Sequence, residues 1–246
     1  MRQTIRISGG LVAIATALAL GGVGTAHATP ASTSPAKAKT HKTIAMVEAG
    51  KARLKVGDSG GAIGSVQRRL NNVGIATPVT GTYSAATSRS VEHFQWKFFL
   101  DESGEVNRHT LARLKDLTKH GAHIPNYCLH QKKIMCADKS QKVLRYFKKG
   151  KLVRVLDARF GAPGVGTREG NFHVTHKIYD GISSLYGTPM PRAMYFSGGQ
   201  AVHFSKYFKA DGYNGASHGC VNLRDWKGVN WLYRQIPVGT PVKVYH

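Results

Sequence analysis

Chemistry concentrates at His203 and, fourteen positions later, in the run Ser217-His218-Gly219-Cys220-Val221-Asn222. Attack on an amide or ester carbonyl needs a nucleophile, a base and oxyanion donors. Cys220 offers a sulfur, but a free thiol with a pKa near ~8.5 needs a cationic neighbour to become a thiolate at neutral pH. His203 fills that place if the fold returns the loop to the strand edge it left, and the seventeen positions between the two residues allow it. Gly219 permits a tight turn with no side chain in front of the sulfur. The backbone amides of Gly219 and Cys220 would then face a developing oxyanion.

These residues must be carried by strands. Met194-Tyr195-Phe196 and Ala201-Val202-His203-Phe204 flank the turn Ser197-Gly198-Gly199-Gln200, which predicts a hairpin with His203 on its second arm. Tyr195 and Phe196 either line an acyl-donor cleft or serve as ordinary strand hydrophobes. A second hairpin is expected from Val143–Phe147, a Lys148–Lys151 turn and Leu152–Phe160, and Asn171–Ile178 alternates as a further strand. Val229, Leu232, Tyr233 and Ile236 make one face of a helix that Asp225 can cap, and Val242–Tyr245 closes the chain as a strand. Residues 124–246 therefore read as a mostly β domain with a helix near its end.

Residues 53–120 follow a different period. Ile63, Val66, Leu70 and Val73 recur at helical spacing, and Gly74 can stop that helix. Ser84 can cap a second helix with Thr87, Val91, Phe94 and Phe98 on one face; Asn107 can cap a third with Leu111, Leu114 and Leu117. The fold class is α+β: a small three-helix bundle followed by the β domain.

Composition sets the compartment. Arg2 and Arg6 precede an apolar stretch from Leu11 to Leu20 and an A-x-A exit at Ala26 and Ala28, so residues 1–28 read as a signal peptide cleaved after Ala28. Residues 29–52 have the Ala/Thr/Ser/Pro/Lys composition of a linker. The apolar stretch is too short for a stable span, so no transmembrane anchor is expected. The 246-residue chain has 35 Lys plus Arg against 13 Asp plus Glu, a formal charge of +22 that becomes +20 once the signal leaves. Export directs that charge to anionic cell-wall polymers rather than to nucleic acid. With three cysteines, a disulfide-dense miniprotein is excluded. Cys128 and Cys136, eight positions apart, suit a disulfide in an exported protein, although Cys128-Leu129-His130 also invites a zinc reading. His173 and His176 fall on opposite faces of a strand, so no metal or other cofactor is expected. The mature protein is expected at the cell wall, as a monomer.

Two resemblances add to this. The order Leu54, Gly57, Gly60, Val66-Gln67, Leu70, Gly74, Gly81-Thr82-Tyr83, Ala86-Thr87, Val91, Phe94-Gln95, Gly104, Val106, Thr110-Leu111 and Leu114 resembles the three-helix peptidoglycan-binding module. His203 followed by Ser217-His218-Gly219-Cys220 and Asn222 resembles the signature of L,D-transpeptidases, and the likeness extends over residues 130–246. Many members of that family carry Pro and Thr or Tyr where this chain has Arg168 and Asn171.

The second resemblance implies Cys220 as nucleophile and His203 as its base and charge partner. His218 and Gly219 would form the wall and oxyanion donors, with His218 either catalytic or positioning, while Ser217 and Asn222 hold the loop. It implies attack on the L-to-D bond of a peptidoglycan tetrapeptide stem, loss of terminal D-alanine, and transfer of the acyl group to a neighbouring stem amine. It also implies acylation by β-lactams such as carbapenems. Two alternatives remain open. One is an L,D-carboxypeptidase with water as acceptor. The other is a non-catalytic peptidoglycan-binding protein, for which Cys220→Ala changes no activity.

Overall fold

The computed structural model describes residues 41–246; the expected signal segment and the first part of the linker lie outside the described residues. Thr43 caps helix α1 (Ile44–Glu48), accepting from the Met46 amide at 3.2 Å. Val47 of this helix is fully buried with Leu54, Ile63 and Leu111. The linker expected over 29–52 is corrected accordingly: its last ten residues belong to the helical module. Their Ala-rich composition hides one short apolar face made by Ile44 and Val47.

The three expected helices are α2 (Gly61–Asn72), α3 (Ala85–Lys97) and α4 (Arg108–Leu117). Ser84 and Asn107 cap α3 and α4 through the amides of Thr87 and Thr110. Their apolar faces meet in one core that holds Val66, Leu70, Val91, Phe94 and Leu114. Two buried glutamines staple the loops between them. Gln67 donates to the Thr82 carbonyl and accepts from the Thr80 and Gly81 amides, and Gln95 does the same between the Glu105 carbonyl and the Gly104 amide. Each satisfies several buried backbone groups that a loop cannot pair on its own.

After a short helix α5 (Asn126–Leu129), the chain builds nine strands: β1 (Lys133–Asp138), β2 (Val143–Lys148), β3 (Lys151–Arg159), β4 (Gly170–His173), β5 (His176–Ile182), β6 (Pro189–Ser197), β7 (Gln200–Phe204), β8 (Val221–Leu223) and β9 (Pro241–Tyr245). Helix α6 (Lys206–Asp211) and a 3-10 turn (Gly212–Asn214) lie between β7 and β8, and α7 (Trp226–Gln235) lies between β8 and β9. The sheet order is β4-β9-β1-β2-β3-β8-β7-β6-β5, with β1–β9 and β7–β8 parallel. Val229, Leu232 and Ile236 at α7 close the core against Leu144, Met194, Val202 and Val221. The α+β architecture agrees with the sequence.

The alternation of Asn171–Ile178 resolves into two strands. At Val174 the chain leaves β9, bonding the Thr240 carbonyl, and at Thr175 it reaches β6 through the Tyr195 carbonyl. Cys128 on α5 and Cys136 on β1 are joined as a disulfide, with Cα atoms 6.3 Å apart. Among the described residues no helix is long and apolar enough to cross a membrane.

The helical module packs directly on β2 and β3. A Cβ at Gly74, the residue that ends α2, would come within 2.7 Å of Val155 and 2.9 Å of Val143. The same glycine has φ +82°, so helix stop and close approach coincide in one position. Lys97 of α3 is fully buried and bonds Asp157 of β3 at 2.9 Å. Arg145 of β2, 1% exposed, donates to the Asn72 carbonyl at the end of α2.

Candidate active site

Parallel pairing of β7 with β8 sets Val202 level with Val221 and His203 level with Asn222. Antiparallel pairing of β3 with β8 sets Arg159 level with the same Asn222. Paired residues point to one side of a sheet, so Arg159, Asn222 and His203 form a row across three strands. Cys220, two positions before Asn222, lies on that side as well. It packs with Met190, Ala193, Ala201 and Tyr195, while Met194, Phe196, Val202 and Val221 point the other way into the core. The row floors a cavity of about 630 Å³ lined also by Arg168, Tyr186, Tyr195, Gln200, Ser217 and His218.

His203 is buried, and its Nδ1 lies 2.7 Å from the Phe204 carbonyl oxygen. A carbonyl only accepts, so Nδ1 carries the hydrogen and Nε2 keeps its lone pair. Burial pushes the ring's pKa down to about 4, against the pull of the Phe204 carbonyl and Asn222, and Arg159 lowers it further. Burial also pushes the Cys220 thiol up, partly offset by a hydrogen bond with the Ala201 backbone. Both shifts favour the neutral forms, thiol and imidazole.

The loop before Cys220 is held from within. Ser217 Oγ donates to the Cys220 carbonyl at 2.6 Å and accepts from the Gly219 amide at 3.1 Å. The backbone of Ser217 bonds the Phe160 carbonyl and the Ala162 amide, tying the loop to the end of β3. Gly219 has φ +116°, and a Cβ there would meet Gln200 Nε2 at 2.4 Å. His218 is exposed and stacks on Tyr186, with ring centroids 4.1 Å apart.

Residues 132–244 match the family described as L,D-transpeptidase catalytic domain, and residues 59–114 match a peptidoglycan binding domain. Through residues 132–244 the chain belongs to the L,D-transpeptidase catalytic domain family. An L,D-transpeptidase from Xylanimonas cellulosilytica is 30% identical over 78% of this chain and 96% of that one, with a TM-score of 0.46. One from Stackebrandtia nassauensis is 21% identical over 78% and 94%, with a TM-score of 0.53, a likeness of fold. No curated protein matches the chain.

The transpeptidase domain brings Cys220, His203, His218, Ser217, Asn222 and Tyr195 to one cavity. It does not bring Phe196 there. That ring is 3% exposed and packs against Phe172 in the core, because neighbours on a strand face opposite ways. Of the expected oxyanion donors, the Gly219 amide donates to Ser217 Oγ, while the Cys220 amide has no protein acceptor among the described residues. For His203, burial lowers the ring's pKa to about 4, which disfavours the cationic form that the charge-partner expectation requires.

Four features of the site escaped sequence reasoning. The Phe204 carbonyl is a backbone group with no side-chain signature. Gln200 donates to the Gly166 carbonyl and accepts from the Arg168 amide, which fixes the far wall. Tyr186 and Arg159 reach the cavity from remote segments and carry no motif. Among the described residues no cluster of His, Cys, Asp and Glu is set to hold a metal.

Proposed function

We propose that this chain is an exported cysteine acyltransferase of the cell wall that forms 3→3 cross-links between peptidoglycan stems. The observation that carries the reading is Cys220, a free thiol on the floor of the cavity, on the same sheet face as a histidine whose Nε2 is unprotonated. The Cys220 proton passes to His203 Nε2 as the sulfur attacks the carbonyl carbon of the L-to-D bond of a tetrapeptide stem. A neutral ring suits this step, because only its neutral form accepts a proton. The oxyanion is met by the Cys220 amide, while Ser217 holds the neighbouring Gly219 amide and keeps the loop in shape.

Collapse of the tetrahedral intermediate breaks the C–N bond. His203 returns the proton to the departing D-alanine amine, and a thioester remains on Cys220. The amine of a second stem then attacks the thioester, losing its proton to His203, and the thiolate leaves and recovers that proton. Asn222, beside His203 in register, and Ser217 position the loop; His218 and Tyr195 line the donor cleft. The peptidoglycan binding match over residues 59–114 and the charge, +22 for the whole chain and +20 without residues 1–28, favour retention at an anionic wall.

Intact mass after incubation with a carbapenem tests the nucleophile: one adduct on the wild type and none on Cys220→Ser. An adduct on both proteins refutes the assignment. A muropeptide digest tests the acceptor, and tripeptides without any 3→3 dimer would make the protein a carboxypeptidase.

A further inference from the structure

Arg159 occupies an unusual place. It ends β3, is 5% exposed, and lies level with Asn222 and, one strand further, with His203 on the cavity floor. One guanidinium nitrogen, Nη1, donates to the Gly212 carbonyl at 2.9 Å. Nε is buried with no hydrogen-bond partner, and Nη2 makes no hydrogen bond among the described residues. Arg159 takes part in no ion pair among the described residues; Asp211 at the cavity rim acts on it only through space. Phe208 covers one face of the guanidinium, 5.1 Å from its centre. Beside it Asn222 Oδ1 is likewise buried without a partner.

A buried guanidinium with two unused N–H groups is costly unless something fills it. Its fork matches a carboxylate, which accepts two parallel N–H bonds. The register makes Arg159 a diagonal neighbour of Cys220, and diagonal neighbours on a sheet face are about 7–8 Å apart. We propose that Arg159 is the carboxylate-binding residue of the acyl-donor site. It takes a stem carboxylate next to the scissile bond. This deepens the proposed function and rests on it. A tetrapeptide stem offers two such carboxylates, on the terminal D-residue and on the side chain of a diamino-acid third residue.

Binding to the full chain in a Cys220→Ser background separates the sources without turnover. Three stems are titrated: unmodified, amidated at the terminal carboxylate, and amidated at the third-residue side chain. One amidation weakens binding about 10- to 100-fold and identifies the carboxylate. Adding Arg159→Gln binds the unmodified stem as weakly as that amidated one and erases the difference, and Arg159→Lys restores part of it. The amidation comparison needs no change at Arg159, and thermal midpoints of both variants report their folding. Equal binding of all three stems, no binding of any, or an amidation loss that persists in Arg159→Gln overturns the proposal. The reaction reading fails separately, when a carbapenem labels Cys220→Ser as readily as the wild type.

Discussion

His203 Nδ1 donates to the carbonyl of Phe204, its own neighbour in the chain, at 2.7 Å. That bond fixes the tautomer and aims Nε2 away from the backbone. Burial holds the ring near a pKa of about 4, so the base is in its working form above that pH and is lost as the pH falls through it. The acid limb of kcat/KM is therefore expected near pH 4, because this ratio reports the free enzyme. A limb between pH 6 and 7 would show a ring that is solvated instead. His203→Gln should lower kcat by about 100- to 10,000-fold, the usual worth of a positioned base.

Cys220 lies among Met190, Ala193, Ala201 and Tyr195, and this apolar packing raises its pKa. Alkylation of the thiol by iodoacetamide should keep accelerating with pH, with a midpoint above the ~8.5 of a free cysteine. A rate already at its plateau at pH 7 would mean that a thiolate–imidazolium pair exists at rest. Under the proposed mechanism peptide substrates escape this limit, because thiol deprotonation and attack are coupled through His203.

Gly219 combines a φ of +116° with a Cβ position 2.4 Å from Gln200 Nε2. Gln200 cannot swing aside freely, since it bonds both the Gly166 carbonyl and the Arg168 amide. Gly219→Ala is expected to cost about 1–3 kcal/mol in backbone strain, and to displace the Cys220 amide. Turnover should fall by at least about tenfold while the thermal midpoint drops by only a few degrees. Unchanged turnover would show that the loop geometry is not critical.

Much of this was readable in the chain because some residues act locally. Ser84 and Asn107 cap the helices they precede, and the Ser197–Gln200 turn joins the strands it separates. Strand β1 escaped notice because it is central and buried on both faces, so Lys133–Asp138 shows no polar alternation. The strand pattern puts Tyr195 and Phe196 on opposite faces, yet only the register with β7 shows which face is the cavity. Arg159 is one of 35 basic residues until the pairing of β3 with β8 sets it beside Asn222. The seam between module and sheet domain was invisible for the same reason, since Asp157 lies 60 or more positions from its partners on α3.

That seam centres on Asp157. Its carboxylate meets Lys97 at 2.9 Å, His93 at 2.9 Å and Arg224 Nε at 3.1 Å. Burial pushes the Asp157 carboxyl up, but Lys97, His93 and Arg224 together hold it well below the usual carboxylate range. Its folded pKa is thus depressed relative to an unfolded value of about 3.9, and the stability it contributes is present above that value and lost as pH falls below it. Asp157→Asn would leave the fully buried Lys97 ammonium unpaired, at a cost of about 3–5 kcal/mol. Asp157→Asn with Lys97→Met removes both charges and should recover much of the loss. Thermal unfolding from pH 7 to pH 2 is the measurement. The wild type should lose stability below about pH 4 more steeply than the double variant. Parallel curves would show that the module is held by Gly74 and its apolar contacts, with the buried ion pair contributing no net stability.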